Sequence, residues 1–519
     1  MSTRISAHSL LQRLALLALA ALLVGCGGGA TSTSTLISNG GGALSSNIGN
    51  TSATVCSATP EQLLPYGGVS SGSASSVYMD NCATAGTLAA VNLPYISVNV
   101  CAPSGACAWI DHVLVDTGSV GLRLLADALP PALLASLPST PVTGSSASVG
   151  ECFQFVVSYM WGGGRTATIN LGGTVPASGG THNGLVSGTG NIFILNDPNV
   201  PAAVPASCST AAGSASPQAK AAIDFGANGI IGIGMLPDDA SNGAATYYQC
   251  LAGSCTLFPA TTTAAAGTPP PGAAVVNPLA AAHLSAAAIT LDAAATIHSH
   301  TVTYSNYGVA GLTNASAVVG TLSYLSGPPT PSATFYVNPY SQRMPAQLSN
   351  GSASANFATS PTTFAGAFMD SGSNAYFYTQ TDLSQQVLAM QNCPFTTQNS
   401  SGQTVTSQRP FACNLSGQTT IPLVLALKLG SDIGPPPAPS TTTASATTVV
   451  SPGLSFYDYN FLNNSYPNSP VLEGLTVIET TSPSPFAGQF DLGLPFFLGR
   501  PVYISVSDGV SQATSYYGL

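Results

Sequence analysis

At 519 residues the chain has room for about two to three domains of ordinary size. Hydrophobic residues make up 45% of it and charged residues only 5%, with 54 Gly and 39 Pro, a balance that favours short strands and turns over charged amphipathic helices. The 19 Asp and Glu outnumber the 9 Lys and Arg, and no basic cluster occurs, which argues against nucleic-acid binding.

The N-terminus places Arg4 and Arg13 ahead of an apolar run, Leu14 to Val24, too short to span a bilayer comfortably and built as an export signal. Leu23-Val24-Gly25-Cys26 resembles a bacterial lipobox, whose cysteine is lipidated and becomes the first residue of the mature chain. Residues 1–25 are therefore expected to be a lipoprotein signal peptide, and Cys26 the anchor to a bacterial membrane on its periplasmic or outer side. Ten further cysteines in an exported chain imply up to five disulfides. The near pairs Cys101–Cys107, Cys250–Cys255 and Cys393–Cys413 are expected, while Cys56, Cys82, Cys152 and Cys208 stay unassigned.

Residues 26–75 read as a flexible tether of Gly, Ser, Thr and Asn. Inside it Gly68-Val69-Ser70-Ser71-Gly72 has the spacing of a serine-hydrolase elbow but no apolar strand before it. A body of short strands is expected from 76 onward, divided into 76–260 and 277–519 by an exposed linker, Thr261 to Val276, with a second exposed insertion over Ile433–Pro452.

Leu93 to Val100 reads as a strand, a loop from Cys101 to Cys107 follows, and a second strand delivers Asp116-Thr117-Gly118-Ser119. Phe153–Tyr159 alternates, a turn is expected at Trp161-Gly162-Gly163-Gly164, and Arg165–Leu171 returns, which is a glycine-tipped hairpin. Gly229-Ile230-Ile231-Gly232-Ile233-Gly234 could pass for a nucleotide loop, but Met235-Leu236-Pro237 follows where a phosphate-binding helix would have to begin. His298-Ser299-His300 lacks a third ligand nearby, so no metal site and no cofactor are expected. The turn then recurs: Phe368-Met369 leads into Asp370-Ser371-Gly372-Ser373, and Asp491-Leu492-Gly493-Leu494 repeats the apolar-glycine pattern.

Two Asp-hydroxyl-Gly-Ser turns, one in each half, each with an apolar-glycine partner, resemble the pepsin-type aspartic peptidases over roughly residues 90–519. The chain also looks like a bacterial lipoprotein family of unknown function with that fold. The resemblance implies a mainly β, bilobal fold of two barrel-like lobes with a cleft between them, and Asp116 and Asp370 as a catalytic pair. Thr117, Gly118, Ser119, Ser371, Gly372 and Ser373 would support the pair, and Tyr159 or Trp161 would be the aromatic residue of a flap. In that family a Trp follows the first turn and bonds the flap; here Val120-Gly121-Leu122-Arg123 stands instead, and Arg123 keeps a donor without the ring. The activity implied is hydrolysis of polypeptides by a monomeric, membrane-anchored enzyme. A catalytically silent binding or structural lipoprotein of the same fold, and a β-rich surface adhesin, are the competing readings.

Overall fold

The computed structural model describes residues 73–80, 93–155, 158–174, 183–211, 218–220, 226–241, 244–259, 265–269 and 272–293. In the second half it describes 303–304, 314–327, 329–331, 334–337, 342–349, 363–379, 390–398, 404–414, 420–428, 449–450, 453–457, 476–479, 489–507 and 515–519. The signal peptide, Cys26, most of the tether, the elbow-like serine motif, Cys56, Cys82, the His298/His300 pair and most of the Ile433–Pro452 insertion lie outside these residues. The side chains of Cys393 and Cys413 lie outside them as well.

The protein is mainly β, with a few short helices. Strands β1 (Ala74–Asp80), β2 (Tyr95–Cys101), β3 (Cys107–Asp116) and β4 (Val120–Leu125) are followed by β5 (Ser148–Gln154), β6 (Tyr159–Thr174), β7 (Asn183–Leu195) and β8 (Gly229–Ile233). Pairing runs β6-β7-β4-β8-β3-β2, and β2 pairs back onto β6, which closes a mixed six-stranded barrel. Alternation explains the closure: Val98, Val100, Ile110, Val113, Val115, Leu122, Ile169, Ile192, Ile194 and Ile231 all enter one core. Each such side chain, fully buried, contributes about 1.5–3 kcal/mol relative to exposure.

A bulge shapes the strand that carries Asp116. Ile96 pairs with Val113 and Val98 with Ile110, so Ser97 faces both Asp111 and His112, and His112 takes a left-handed φ of 49°. Its backbone N–H donates to the Tyr78 hydroxyl at 2.6 Å, and Asp111 and His112 meet side chain to side chain at 2.9 Å.

Beyond the barrel, β5 pairs with β9 (Ala245–Leu251), which pairs with β10 (Ser254–Leu257). Disulfides join Cys101 to Cys107 and Cys250 to Cys255, as the short spacings suggest, and a third joins Cys152 to Cys208 across 56 residues.

Three expectations are corrected here. The tether ends earlier than 75, because β1 begins at Ala74 and buries Ser75, whose hydroxyl lies 2.8 Å from that of Tyr324. The Thr261–Val276 linker is not exposed throughout: Ala273, Ala274 and Val275 are buried, and the Val275 N–H donates to the Tyr247 hydroxyl at 2.9 Å. Finally, the boundary at 261–276 does not separate the sheets. The strand Asn314–Leu325 pairs with β1 on one side and with Ala286–Leu291 on the other, and Pro501–Ser505 and Tyr516–Gly518 extend the same sheet.

A separate ten-stranded sheet contains Thr363–Phe368, Tyr376–Thr379 and Gln489–Leu492. Leu492, Leu494, Phe496 and Tyr376 from this half share a core cluster with Val115, Leu122 and Ile231 from the barrel. Among the described residues no helix is long and apolar enough to cross a membrane.

Candidate active site

Each acidic turn is delivered by the same local device. β3 runs apolar to Asp116, Thr117–Ser119 turns, and β4 leaves; β8 lies parallel to β3 with Gly232 opposite Asp116, and antiparallel to β4. A side chain at Gly232 would have its Cβ 2.5 Å from the Val120 nitrogen, so only glycine lets β8 approach the turn. The second half repeats the arrangement. Thr363–Phe368 leads to Asp370, Tyr376–Thr379 leaves, and Gln489–Leu492 lies parallel to the first and antiparallel to the second. Gly493 is held as tightly, since its Cβ would stand 1.9 Å from the Ala375 carbonyl oxygen.

The two turns meet face to face. The Thr117 hydroxyl donates to the Met369 carbonyl at 2.8 Å and accepts from the Ser371 N–H at 3.0 Å. Reciprocally, the Ser371 hydroxyl donates to the Val115 carbonyl at 2.7 Å and accepts from the Thr117 N–H at 3.2 Å. Four hydrogen bonds thus clamp residues more than 250 positions apart, and each hydroxyl serves as donor and acceptor at once. The glycines face the opposite carboxylates: a Cβ on Gly118 would lie 2.7 Å from Cγ of Asp370, and one on Gly372 would lie 2.8 Å from Cγ of Asp116. Any larger residue would push the carboxylates out of register.

Within each turn the carboxylate is held in the same way. Asp116 accepts from the Gly118 N–H at 2.8 Å and the Ser119 hydroxyl at 2.5 Å. Asp370 accepts from the Gly372 N–H at 2.9 Å and the Ser373 hydroxyl at 3.0 Å. Both carboxylates are buried, whereas Gly118 is exposed. Burial raises the pKa of Asp116 above its ordinary value, against the pull of the Ser119 hydroxyl, the turn amides and the charge of Arg123. Burial pushes Asp370 up to about 6, opposed by Ser373 and by the amides of Gly372, Ser373 and Gly118. Burial thus raises both carboxyl groups on the facing turns, and groups placed in this way can hold one proton between them in the acidic range. Chemically such a pair can act as base and acid at once.

Arg123 turns out to be the centre of a buried polar cluster. It is fully buried on β4, donates to the Val120 carbonyl at 2.5 Å and to Glu151 at 3.2 Å, and pairs with Asp239, which also accepts from the Tyr247 hydroxyl. Its guanidinium lies 3.5 Å from the centre of the Phe153 ring. Glu151 and Phe153 belong to β5, so Arg123 ties the strand leaving the first turn to the β5–β6 hairpin. Burial, then the neighbouring Asp239, raises Glu151 well above its ordinary value, and burial brings Asp239 to about 6.

The hairpin itself differs from expectation. Gln154 pairs with Tyr159 and Cys152 with Trp161, and the Phe155 N–H donates to the Ser158 carbonyl at 2.8 Å, so Trp161–Gly164 lies inside β6. These glycines serve close packing rather than a tip: a Cβ on Gly162 would stand 2.0 Å from the Ile194 carbonyl oxygen. Trp161 is buried, donates its indole N–H to the Pro201 carbonyl at 2.8 Å and packs edge-on against Tyr248, so it is a core residue and not a flap tip. Tyr159 stands beside the turn and is also largely buried.

Asp491 is a titratable residue of the site hidden in the sequence within the apolar-glycine segment; a lone carboxylate between Phe490 and Leu492 in a buried strand is the available signal. Among the described residues no group of three or more His, Cys, Asp and Glu is arranged to hold a metal ion.

A family model described as a protein of unknown function (DUF3443) matches residues 72–309, a stretch that includes the Asp116 turn, the barrel and the Arg123 cluster but stops short of Asp370. No curated protein matches the chain.

Proposed function

We propose that the chain is an exported aspartic endopeptidase, lipid-anchored at Cys26, whose halves form two pepsin-like lobes around a cleft holding Asp116 and Asp370. The observation that carries this reading is the reciprocal clamp of Thr117 and Ser371, which sets two hydrogen-bonded carboxylates opposite each other with glycine as the only spacer. A loop-stabilising Asp needs no partner turn 254 residues away.

In the proposed reaction a water molecule sits between the carboxyl groups. The ionised carboxylate takes a proton from the water as its oxygen bonds to the peptide carbonyl carbon, and the protonated carboxyl gives its proton to the carbonyl oxygen. The tetrahedral diol then collapses. Its nitrogen takes a proton from the pair, one hydroxyl returns a proton to the pair, and the C–N bond breaks to give an acid and an amine. The pair ends with the single proton it began with, and no cofactor or metal takes part. The two members share that proton, with burial raising both and Asp370 to about 6. Three disulfides suit an oxidising compartment outside the cytoplasm.

The test is a peptide-library digest with wild type, Asp116→Asn and Asp370→Asn at acidic pH. Cleavage by wild type alone supports the pair, because members of one catalytic unit fail singly. Cleavage that survives in both variants would refute it, and a folded wild type that cuts nothing would favour the silent binding lipoprotein.

A further inference from the structure

The two halves of the site are not equivalent, and one of the differences is a single buried carboxyl group. In the first half Leu114, two residues before Asp116, pairs with Ile230; in the second, Phe368, two residues before Asp370, pairs with Asp491. Ile231-Gly232 and Leu492-Gly493 then follow in register. A carboxyl group therefore occupies the place of an isoleucine, and it is fully buried.

Its contacts raise a problem of proton count. Asp491 Oδ2 lies 2.6 Å from the Ser373 hydroxyl oxygen, which lies 3.0 Å from Asp370 Oδ2, while Asp491 Oδ1 has no hydrogen-bond partner among the described residues. A serine hydroxyl has one proton and cannot donate to both carboxyl groups. If Asp491 were ionised, it would compete for that proton and leave a buried anion with one oxygen unsatisfied. If Asp491 is the neutral acid, its own proton goes to the Ser373 oxygen and the serine proton goes to Asp370. In the first half Ser119 donates to Asp116 without a competitor.

We propose, on the reading of the site as an aspartic peptidase, that Asp491 is a positioning residue that works as a neutral acid and, through Ser373, fixes a donated hydrogen bond on Asp370. The charged and titratable groups around it are Ser373, Asp370, Asp116, Arg343 and Tyr517. Tyr517 donates to Gln342 at 3.2 Å and lies 3.5 Å from the Met369 carbonyl. Burial is the largest influence on Asp491 and Asp370 the next, both raising its pKa; Ser373 and Arg343 oppose them, and the net direction is well above the ordinary value. Arg343 opposes them less than Ser373 does, and its guanidinium packs over the Phe368 ring at 4.1 Å.

The experiment compares wild type, Asp491→Leu and Asp491→Asn, the last keeping a neutral donor of the same shape. Difference infrared spectra of wild type against Asp491→Asn at pH 6 should show a protonated-carboxyl stretch that only wild type possesses. Asp491→Leu should lower kcat about fivefold, the loss of one neutral hydrogen bond, with KM unchanged. Asp491→Asn should rescue kcat and keep the wild-type pH profile. In a Ser373→Ala background the leucine change should cost nothing more, since the effect passes through that hydroxyl. Absence of the carboxyl stretch, or a profile displaced by about one pH unit in Asp491→Asn, would show an ionised Asp491 and overturn the proposal. Equal kcat in leucine and wild-type proteins would overturn the positioning role. The infrared result needs no substrate: the stretch in a folded but inactive wild type would sustain the neutral acid while removing the peptidase reading.

Discussion

Replacing Arg123 by methionine removes the cation that pairs with both Glu151 and Asp239, which are fully buried. Burial and the neighbouring Asp239 raise Glu151 well above its ordinary value and burial raises Asp239 to about 6, so the arginine is the counter-charge of a buried acid pair that does not hold two charges cheaply. Leaving a buried charge without its partner costs about 3–5 kcal/mol, and the contact with Phe153 is lost as well. The sign of the pH dependence follows from linkage. Asp239 has a folded pKa above its unfolded value, so the native state binds more protons and its stability falls as pH rises from the unfolded pKa to the folded one. Without Arg123 the folded pKa climbs further, so the extra penalty opens above about pH 6 and closes below it, where both native proteins hold the proton. Denaturant unfolding of wild type and Arg123→Met at pH 5 and pH 8 measures this directly. Destabilisation should be larger at pH 8 than at pH 5 by as much as about 3 kcal/mol, since each of the two pH units above the wild-type Asp239 value of about 6 is worth about 1.4 kcal/mol. Equal losses at both values, or a loss below about 1 kcal/mol at pH 8, would refute the charge assignment.

Thr117→Val deletes one donor and one acceptor of the clamp between the turns, and should cost about 1–3 kcal/mol of stability and most of the activity, read by thermal unfolding and peptide cleavage. Mass spectrometry after alkylation without reduction should find Cys101, Cys107, Cys152, Cys208, Cys250 and Cys255 unmodified; labelling at any of them would contradict the pairing. Cys26→Ser should move the protein from the membrane fraction to the soluble exported fraction, and unchanged membrane retention would defeat the lipid anchor.

The sequence was most legible where structure is local. Short apolar runs ending in Asp116 and Asp370 were readable as strands because alternation and a glycine turn are encoded within about ten residues. The loops of Cys101–Cys107 and Cys250–Cys255 span 6 and 5 positions, so proximity alone suggested them, whereas Cys152–Cys208 depends on how β5 meets a distant helix. Trp161–Gly164 reads as a turn in sequence because glycine marks both turns and close backbone approach, and only the position of Ile194 decides between them. Arg123 stands out in sequence as a departure, but its partners lie 28 and 116 residues away, beyond any spacing rule. Ala273–Val275 looked like linker because small residues are common in linkers; burial against Tyr247 is a tertiary fact.

The most direct measurement is the pH dependence of kcat/KM on a cleaved peptide from about pH 3 to 8. Two carboxyl groups sharing one proton require a bell, and burial of Asp370 to about 6 puts its upper limb near that pH, with little turnover at pH 8. Both limbs should vanish with the activity in Asp116→Asn and Asp370→Asn. A rate that climbs steadily through neutrality, or a bell that persists in either variant, would contradict the shared-proton pair.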